Sequence, residues 1–273
     1  MAPADLTSRR SATVAAVKRL QTKAGRKDSA TFIVEGPQAL REAFAHRADI
    51  RQVFVTTGAI ARWGEIMQAA RAADVEVTIV SEGVLEAMAE TKSPQGWLAT
   101  CGMEIATLDE IMAERPSVLV VLDQVSDPGN VGTIIRTADA AGARAVLLTG
   151  ESVDPFNGKC VRASAGSIFH LPVVPQVRAD HLVAAARQQG AVLVVTAADG
   201  ERELFEWLDS APVMNPTLWV FGSEAHGVGV DLQEAADVRV RIPIHGSAES
   251  LNIASAVAVC LYSDADRRRA RIS

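Results

Sequence analysis

The sequence predicts an α/β protein of two units, the second a parallel sheet with helices on both faces. Two observations predict it. Five apolar, strand-length runs follow one another in the second half, at 117–122 (SVLVVL), 144–149 (RAVLLT), 191–196 (AVLVVT), 217–221 (TLWVF) and 238–242 (VRVRI). Helical spacing separates them, at 130–141, about 157–165, 180–188, about 229–236 and 251–263. Near-continuous apolar strands alternating with helices are the mark of a sheet buried on both faces.

The first half carries a smaller alternation. Residues 8–21 read as helix, 31–35 (TFIVE) as strand, 38–45 as helix, 52–56 (QVFVT) as strand and 61–73 as helix. Then come a strand at 76–80 (EVTIV), a helix at 84–90 and a strand at 96–101 (GWLATC). The pattern weakens around 103–116, where 107–114 (TLDEIMAE) forms a short amphipathic helix before Pro116. The expected division is therefore 1–105 as one domain, 106–116 as linker and 117–273 as the other.

Composition narrows the class. Hydrophobic content of 48% with 22% charged residues describes a globular protein, and no apolar stretch reaches the length of a membrane span. MAPADLTSRR at the start has no apolar core of a secretory signal. Cys101, Cys160 and Cys260 are scattered, which fits a reducing cytoplasm. Net charge is −6, yet residues 1–28 hold Arg9, Arg10, Lys18, Arg19, Lys23, Arg26 and Lys27 against Asp5 and Asp28, a local +5. Clustered cations facing a polyanion release counterions, so this segment is an RNA-contact candidate. The tail repeats the pattern with Arg267, Arg268, Arg269 and Arg271, and reads equally well as a solvated end.

The loop after 117–122 is the point around which the second unit is organised. Asp127, Pro128, Gly129 and Asn130 are turn formers, Val131, Ile134, Ile135 and Ala138 recur at helical spacing, and Gly142 ends the helix. In open α/β sheets, ligands bind at the carboxyl ends of strands, where this loop lies. Asn130 and Arg136 fall in the first two turns of the expected helix. An arginine there gains nothing from the helix dipole, which suggests a functional reason.

Four loops follow strands and share an unusual content of Gly, Ser and Asn: SDPGNVGTIIR, ESVDPFNGKCVRASAG, GSEAHGVG and PIHGSAESLN. Together they are expected to form one site. Ser250 before an apolar helix is a candidate N-cap. Gly222 permits close approach to backbone. Lys159 and Arg162, three apart, share a helix face and are candidate phosphate contacts. No GxGxxG, GxxxxGK[ST] or GxSxG stands after a strand, which excludes ordinary dinucleotide, P-loop and hydrolase sites. His226 and His245 lack metal-ligand spacing, so no metal is expected.

Four blocks resemble the SpoU/TrmH family of RNA 2′-O-ribose methyltransferases, in the SPOUT superfamily. They are SDPGNVGTIIRTADAAG (126–142), PFNGKCVRASAGSIFHLP (155–172), WVFGSEAHGVG (219–229) and IPIHGSAESLNIASAVAVCLY (242–262), in matching order and spacing. RKDSATFIVEGPQALREAF (26–44) is similar to the small L30e-like substrate-binding domain of two-domain, ribosomal-RNA-type members. The resemblance implies a deep trefoil knot in the parallel-sheet domain and S-adenosylmethionine held at Thr196, Gly222, Ile242, Ser250 and Leu251. It also implies Arg136 as the catalytic arginine with Asn130, Glu224 and Asn252 as its polar companions, and a homodimer packed through the knotted domain. The expected substrate is RNA, 23S rRNA favoured, contacted through Arg9, Arg10, Lys18, Arg19, Lys23, Arg26, Lys159 and Arg162. A tRNA 2′-O-methyltransferase and a non-catalytic knotted RNA-binding protein remain alternatives.

Overall fold

All seven strands of the larger sheet run parallel, in the order β7-β6-β5-β10-β8-β11-β9. They are β5 (Val118–Asp123), β6 (Val146–Thr149), β7 (Val173–Val177), β8 (Val192–Thr196), β9 (Arg202–Glu203), β10 (Thr217–Gly222) and β11 (Val238–Arg241). The computed structural model describes residues 5–211 and 215–272, the side chains of 271 and 272 excepted. Five of the seven strands are the apolar runs of the sequence. β7 and β9, both at sheet edges, were not expected. Pro175 inside VVPQV argues against a central strand, and an edge is where a strand proline is tolerated.

The chain folds as two units, one running to Glu104 with Phe156–His170 added, the other holding Ile105–Pro155 and the chain from Leu171 onward. In the first unit a four-stranded sheet is ordered β1-β4-β2-β3, with β1 (Thr31–Glu35), β2 (Ile50–Thr56), β3 (Val77–Val80) and β4 (Trp97–Gly102). Only β2 and β3 pair in parallel. Helix α1 (Ala12–Arg19) is capped by Ser11, whose side chain accepts from Val14 N, and it buries Val14 and Val17 in a core with Phe54, Leu85 and Leu98. α2 (Lys23–Ser29) is capped by Thr22 and lies within the basic cluster, where charge hides its pattern. The remaining helices of this region are α3 (Pro37–Ala45), α4 (Thr57–Arg62), α5 (Gly64–Ala72) and α6 (Glu82–Met88).

Two boundaries differ from expectation. α7 (Leu108–Ala113), closed by a Thr107–Glu110 capping box, buries Leu108, Ile111 and Met112 in the core of the second unit, so 106–116 is part of that unit rather than a free linker. The segment with α9 (Gly158–Ala163) and a 3₁₀ turn at Ser167–Phe169 belongs to the first unit. There Phe32 meets Phe156 and Phe169, with ring centroids 5.1 and 6.1 Å away.

The helices of the second unit place the loops. α8 (Pro128–Ala140) starts with Asp127 as N-cap, its Oδ1 accepting from Asn130 N at 2.8 Å, and ends before Gly142 at φ +78°. α10 (Ala179–Gln188), α11 (Leu204–Ser210) and α12 (Val230–Ala235) connect the strands. α13 (Ile253–Ile272) packs along α8 and runs well past the expected end at 263. Its last turns are held by Asp264, which is fully buried. Asp264 accepts from Trp219 Nε1 at 3.1 Å, Arg267 Nη2 at 2.7 Å and Arg268 Nε at 3.1 Å. Arg267 also donates to the carbonyl of Ala211, and Arg268 to Thr217 Oγ1. This part of the basic tail is internal structure. Arg269 is exposed, and the Arg271 side chain lies outside the described ones.

Candidate active site

Three loops at the carboxyl ends of β5, β10 and β11 meet. Asn252 Nδ2 lies 2.8 Å from Glu224 Oε1 and 3.3 Å from Asn130 Oδ1, so one amide joins the second and third loops to the start of α8. Glu224 Oε1 also accepts from Ile253 N at 3.3 Å, and Asn252 Oδ1 from Ala254 N at 3.0 Å. Asn252, not Ser250, is therefore the N-cap of α13. A carboxylate beside it gains from the positive end of a long helix.

Beside this cluster is a cavity of about 370 Å³. Thr196, Gly222, Ile242, Ser250 and Leu251 all line it, together with Ala197, Phe221, Ser223, Glu224, Val240, Ile244 and Glu249. Such a volume suits a small organic cofactor. Its apolar walls can take an aromatic ring, and two carboxylates at its edge complement a cation. Thr196, at the end of β8, donates its hydroxyl to the Val220 carbonyl at 3.1 Å. Gly222 owes its identity to the loop itself: a Cβ there would lie 1.9 Å from the Gly227 carbonyl carbon. Gly227 N bonds Ser223 O at 2.8 Å, closing the turn.

Asp123 was not singled out in the sequence. It is buried at the end of β5, accepting from Thr149 Oγ1 and from Gly229 N, each at 2.7 Å, and so anchors the 222–229 loop to the sheet. Its signal was an aspartate closing an otherwise apolar run. His226 and His245 are exposed and do not line the cavity.

Arg136 does not join the cluster. α8 starts at Pro128, which puts Arg136 in its third turn rather than the second, beyond reach of the dipole argument. It is exposed, and its side chain makes no hydrogen bond or ion pair to another described residue. Of the fourth loop, the part from Phe156 onward belongs to the first unit.

The RNA-contact candidates separate by exposure. Arg9, Arg10, Lys18, Arg19, Lys23 and Lys159 are exposed, with Arg9 paired to Glu86 at 3.2 Å and Arg19 to Asp28 at 3.6 Å. Arg26 is corrected: it is buried and donates to the Leu20 carbonyl at 2.8 Å, filling a structural role between α1 and α2. Arg162 is corrected as well. Its Nη1 sits 3.2 Å from Glu35 and 3.1 Å from Glu90, so two carboxylates already offset its charge.

Residues 117–262 match the SpoU rRNA Methylase family and residues 12–99 the MRM3-like substrate binding domain. The 23S rRNA (guanosine(2553)-2′-O)-methyltransferase RlmP of Bacillus subtilis is 34% identical over 90% of this chain and 92% of its own. Among solved structures, an AdoMet-bound rRNA methyltransferase from Sinorhizobium meliloti superposes with a TM-score of 0.85 at 29% identity, covering 98% of each chain. The SpoU methyltransferase AviRb from Streptomyces viridochromogenes, in complex with AdoMet, gives 0.85 at 30% identity over 97% of this chain and 99% of that one. The chain belongs to the SpoU rRNA methylase family.

Proposed function

We propose that this protein transfers a methyl group from S-adenosylmethionine to a ribose 2′-hydroxyl of 23S rRNA. One observation carries the reading: Glu224 lines the cavity and is also hydrogen-bonded to Asn252, which reaches Asn130. A cofactor site and a polar cluster thus share a wall. Thr196, Gly222, Ile242, Ser250 and Leu251 hold the cofactor, which supplies an electrophilic methyl on a cationic sulfur.

The protein's own task is to position the hydroxyl so that its oxygen bonds the methyl carbon as the carbon–sulfur bond breaks, with the proton passing to solvent water and S-adenosylhomocysteine leaving. Orientation alone supplies several kcal/mol of barrier reduction. Arg136 offers an exposed, permanently charged fork, suited to clamp the phosphate next to the target ribose in bidentate fashion. Asn130 and Asn252 orient groups at the junction of the loops, and Glu224 keeps Asn252 in place. The exposed cations Arg9, Arg10, Lys18, Arg19, Lys23 and Lys159 track the RNA backbone, and residues 1–105 select the RNA. The reading includes a homodimer packed through the second unit, a deep trefoil knot within that unit, and a cytoplasmic setting.

The test is transfer of labelled methyl to separated 23S rRNA, 16S rRNA and tRNA, followed by nuclease digestion. Label on a 2′-O-methylated nucleotide of 23S rRNA is expected. Label on tRNA instead would overturn the substrate, and label on a base would overturn the reaction.

A further inference from the structure

Three side chains that the methyl-transfer reading does not use converge in the first unit. Glu42 lies on α3 and His46 is its C-cap residue, four positions on, so both project from one face. His170 follows the 3₁₀ turn of the added segment. Its Nε2 is 3.2 Å from Glu42 Oε2, and its ring stacks on His46 with centroids 4.1 Å apart. One ligand atom from each of the three lies within 4.8 Å of the others.

The carboxylate is held from two further sides. A Cβ on Gly166 would lie 2.4 Å from Glu42 Cγ, so the glycine backbone presses directly on the side chain. Glu42 Oε1 accepts from Gln38 Nε2 at 3.1 Å, which leaves Oε2 directed at His170. Hydrogen bonds of this kind orient metal-ligating carboxylates.

We propose that Glu42, His46 and His170 form a binding site for a divalent transition-metal ion of the zinc type, with water completing the coordination. Two imidazoles and one carboxylate are the donor set of zinc with an open position, whereas calcium and magnesium take oxygen ligands. Zinc–ligand distances near 2.0–2.2 Å require the ligand atoms to draw together slightly. His46 is exposed and histidine χ2 is soft, so its ring turns edge-on without moving the backbone. The ion ties α3 to a segment 128 positions away, inside one unit. That separation is why only the Glu42–His46 pair, four apart, is legible along the chain.

The test uses the full chain after treatment with EDTA and dialysis. Calorimetry with zinc chloride at pH 7.5 is expected to show one saturable site. Cobalt(II) is expected to give visible d–d bands, and zinc to raise the melting temperature by about 5 °C at saturating excess. His46→Ala and Glu42→Gln should each weaken zinc by about tenfold or more, while His226→Ala leaves it unchanged. His46 is exposed, so His46→Ala keeps its fold, checked by circular dichroism. Absence of saturable zinc binding overturns the site. So does zinc binding that survives His46→Ala and His170→Ala together but is lost on changing His181, His226 or His245.

Discussion

Asn252 donates its amide to Glu224 at 2.8 Å, and the backbone N–H of Ile253 reaches the same oxygen at 3.3 Å. One carboxylate oxygen thus holds both the N-cap of α13 and the loop that walls the cavity. Glu224→Ala removes the carboxylate from both donors and leaves Asn252 Nδ2 with only Asn130 Oδ1, and a charge-assisted bond is worth about 1.5–3 kcal/mol. S-adenosylmethionine affinity should fall by about tenfold or more by calorimetry, with Glu224→Gln falling between. Equal affinity of all three proteins would remove Glu224 from this role.

Arg136 separates chemistry from cofactor binding. Arg136→Ala should lower methyl transfer by about 10²-fold or more, and Arg136→Lys should recover little, because lysine keeps the charge but loses the fork. Cofactor affinity should stay at the parent value in both, since Arg136 does not line the cavity. Full activity in Arg136→Lys would argue for a simple point charge.

Salt dependence distinguishes the two kinds of cation in the first unit. Lys18→Ala with Lys23→Ala should weaken RNA binding and reduce the slope of log affinity against log salt by roughly one to two. Arg26→Met should leave that slope alone and lower thermal stability, because a buried hydrogen bond to the Leu20 carbonyl is lost. A filter-binding series at several salt concentrations reads the first effect, and a thermal melt the second.

Asp264 is the acceptor that Trp219, Arg267 and Arg268 share, and the carboxylate that offsets both guanidinium charges. Asp264→Ala strands two half-buried to buried guanidinium groups and should cost about 3–5 kcal/mol in the second unit. A melt should show that unit unfolding earlier. A shift below about 1 °C would mean the network contributes nothing.

Cys101, Cys160 and Cys260 are all buried. Burial pushes the thiols of Cys101 and Cys260 far up from their ordinary range, with Asp49 and Asp264 adding to it. The thiolate is the reactive form, so raising the pKa removes it at neutral pH. A thiol reagent at pH 8 should label essentially none of these three in the native protein and all three in denaturant. Fast native labelling of Cys260 would show that α13 opens.

What the sequence carried follows from local physics. Four of the five central strands are mainly apolar and β11 alternates Val with Arg, Gly142 ends α8 because φ is positive there, and the site loops stand where strands end. The residues implied at the cavity do line it. What stayed hidden depends on distant partners. β7 contains a proline that only an edge tolerates. Arg26, Arg162, Arg267 and Arg268 read as surface charge, because their acceptors, apart from Asp264, lie on other elements. The 156–170 segment left its expected domain through aromatic contacts with Phe32, a pairing invisible along the chain.

The buried Asp264 also divides the C-terminal arginines into two kinds of protease substrate. Trypsin must draw an extended segment into its cleft, and the side chains of Arg267 and Arg268 are only 9% and 13% exposed. Those peptide bonds are shielded while α13 stays docked, whereas Arg269 offers its side chain to solvent. Brief digestion of the native protein should therefore spare the bonds after Arg267 and Arg268 until α13 unfolds. Helix α13 thus behaves as folded core through Arg268.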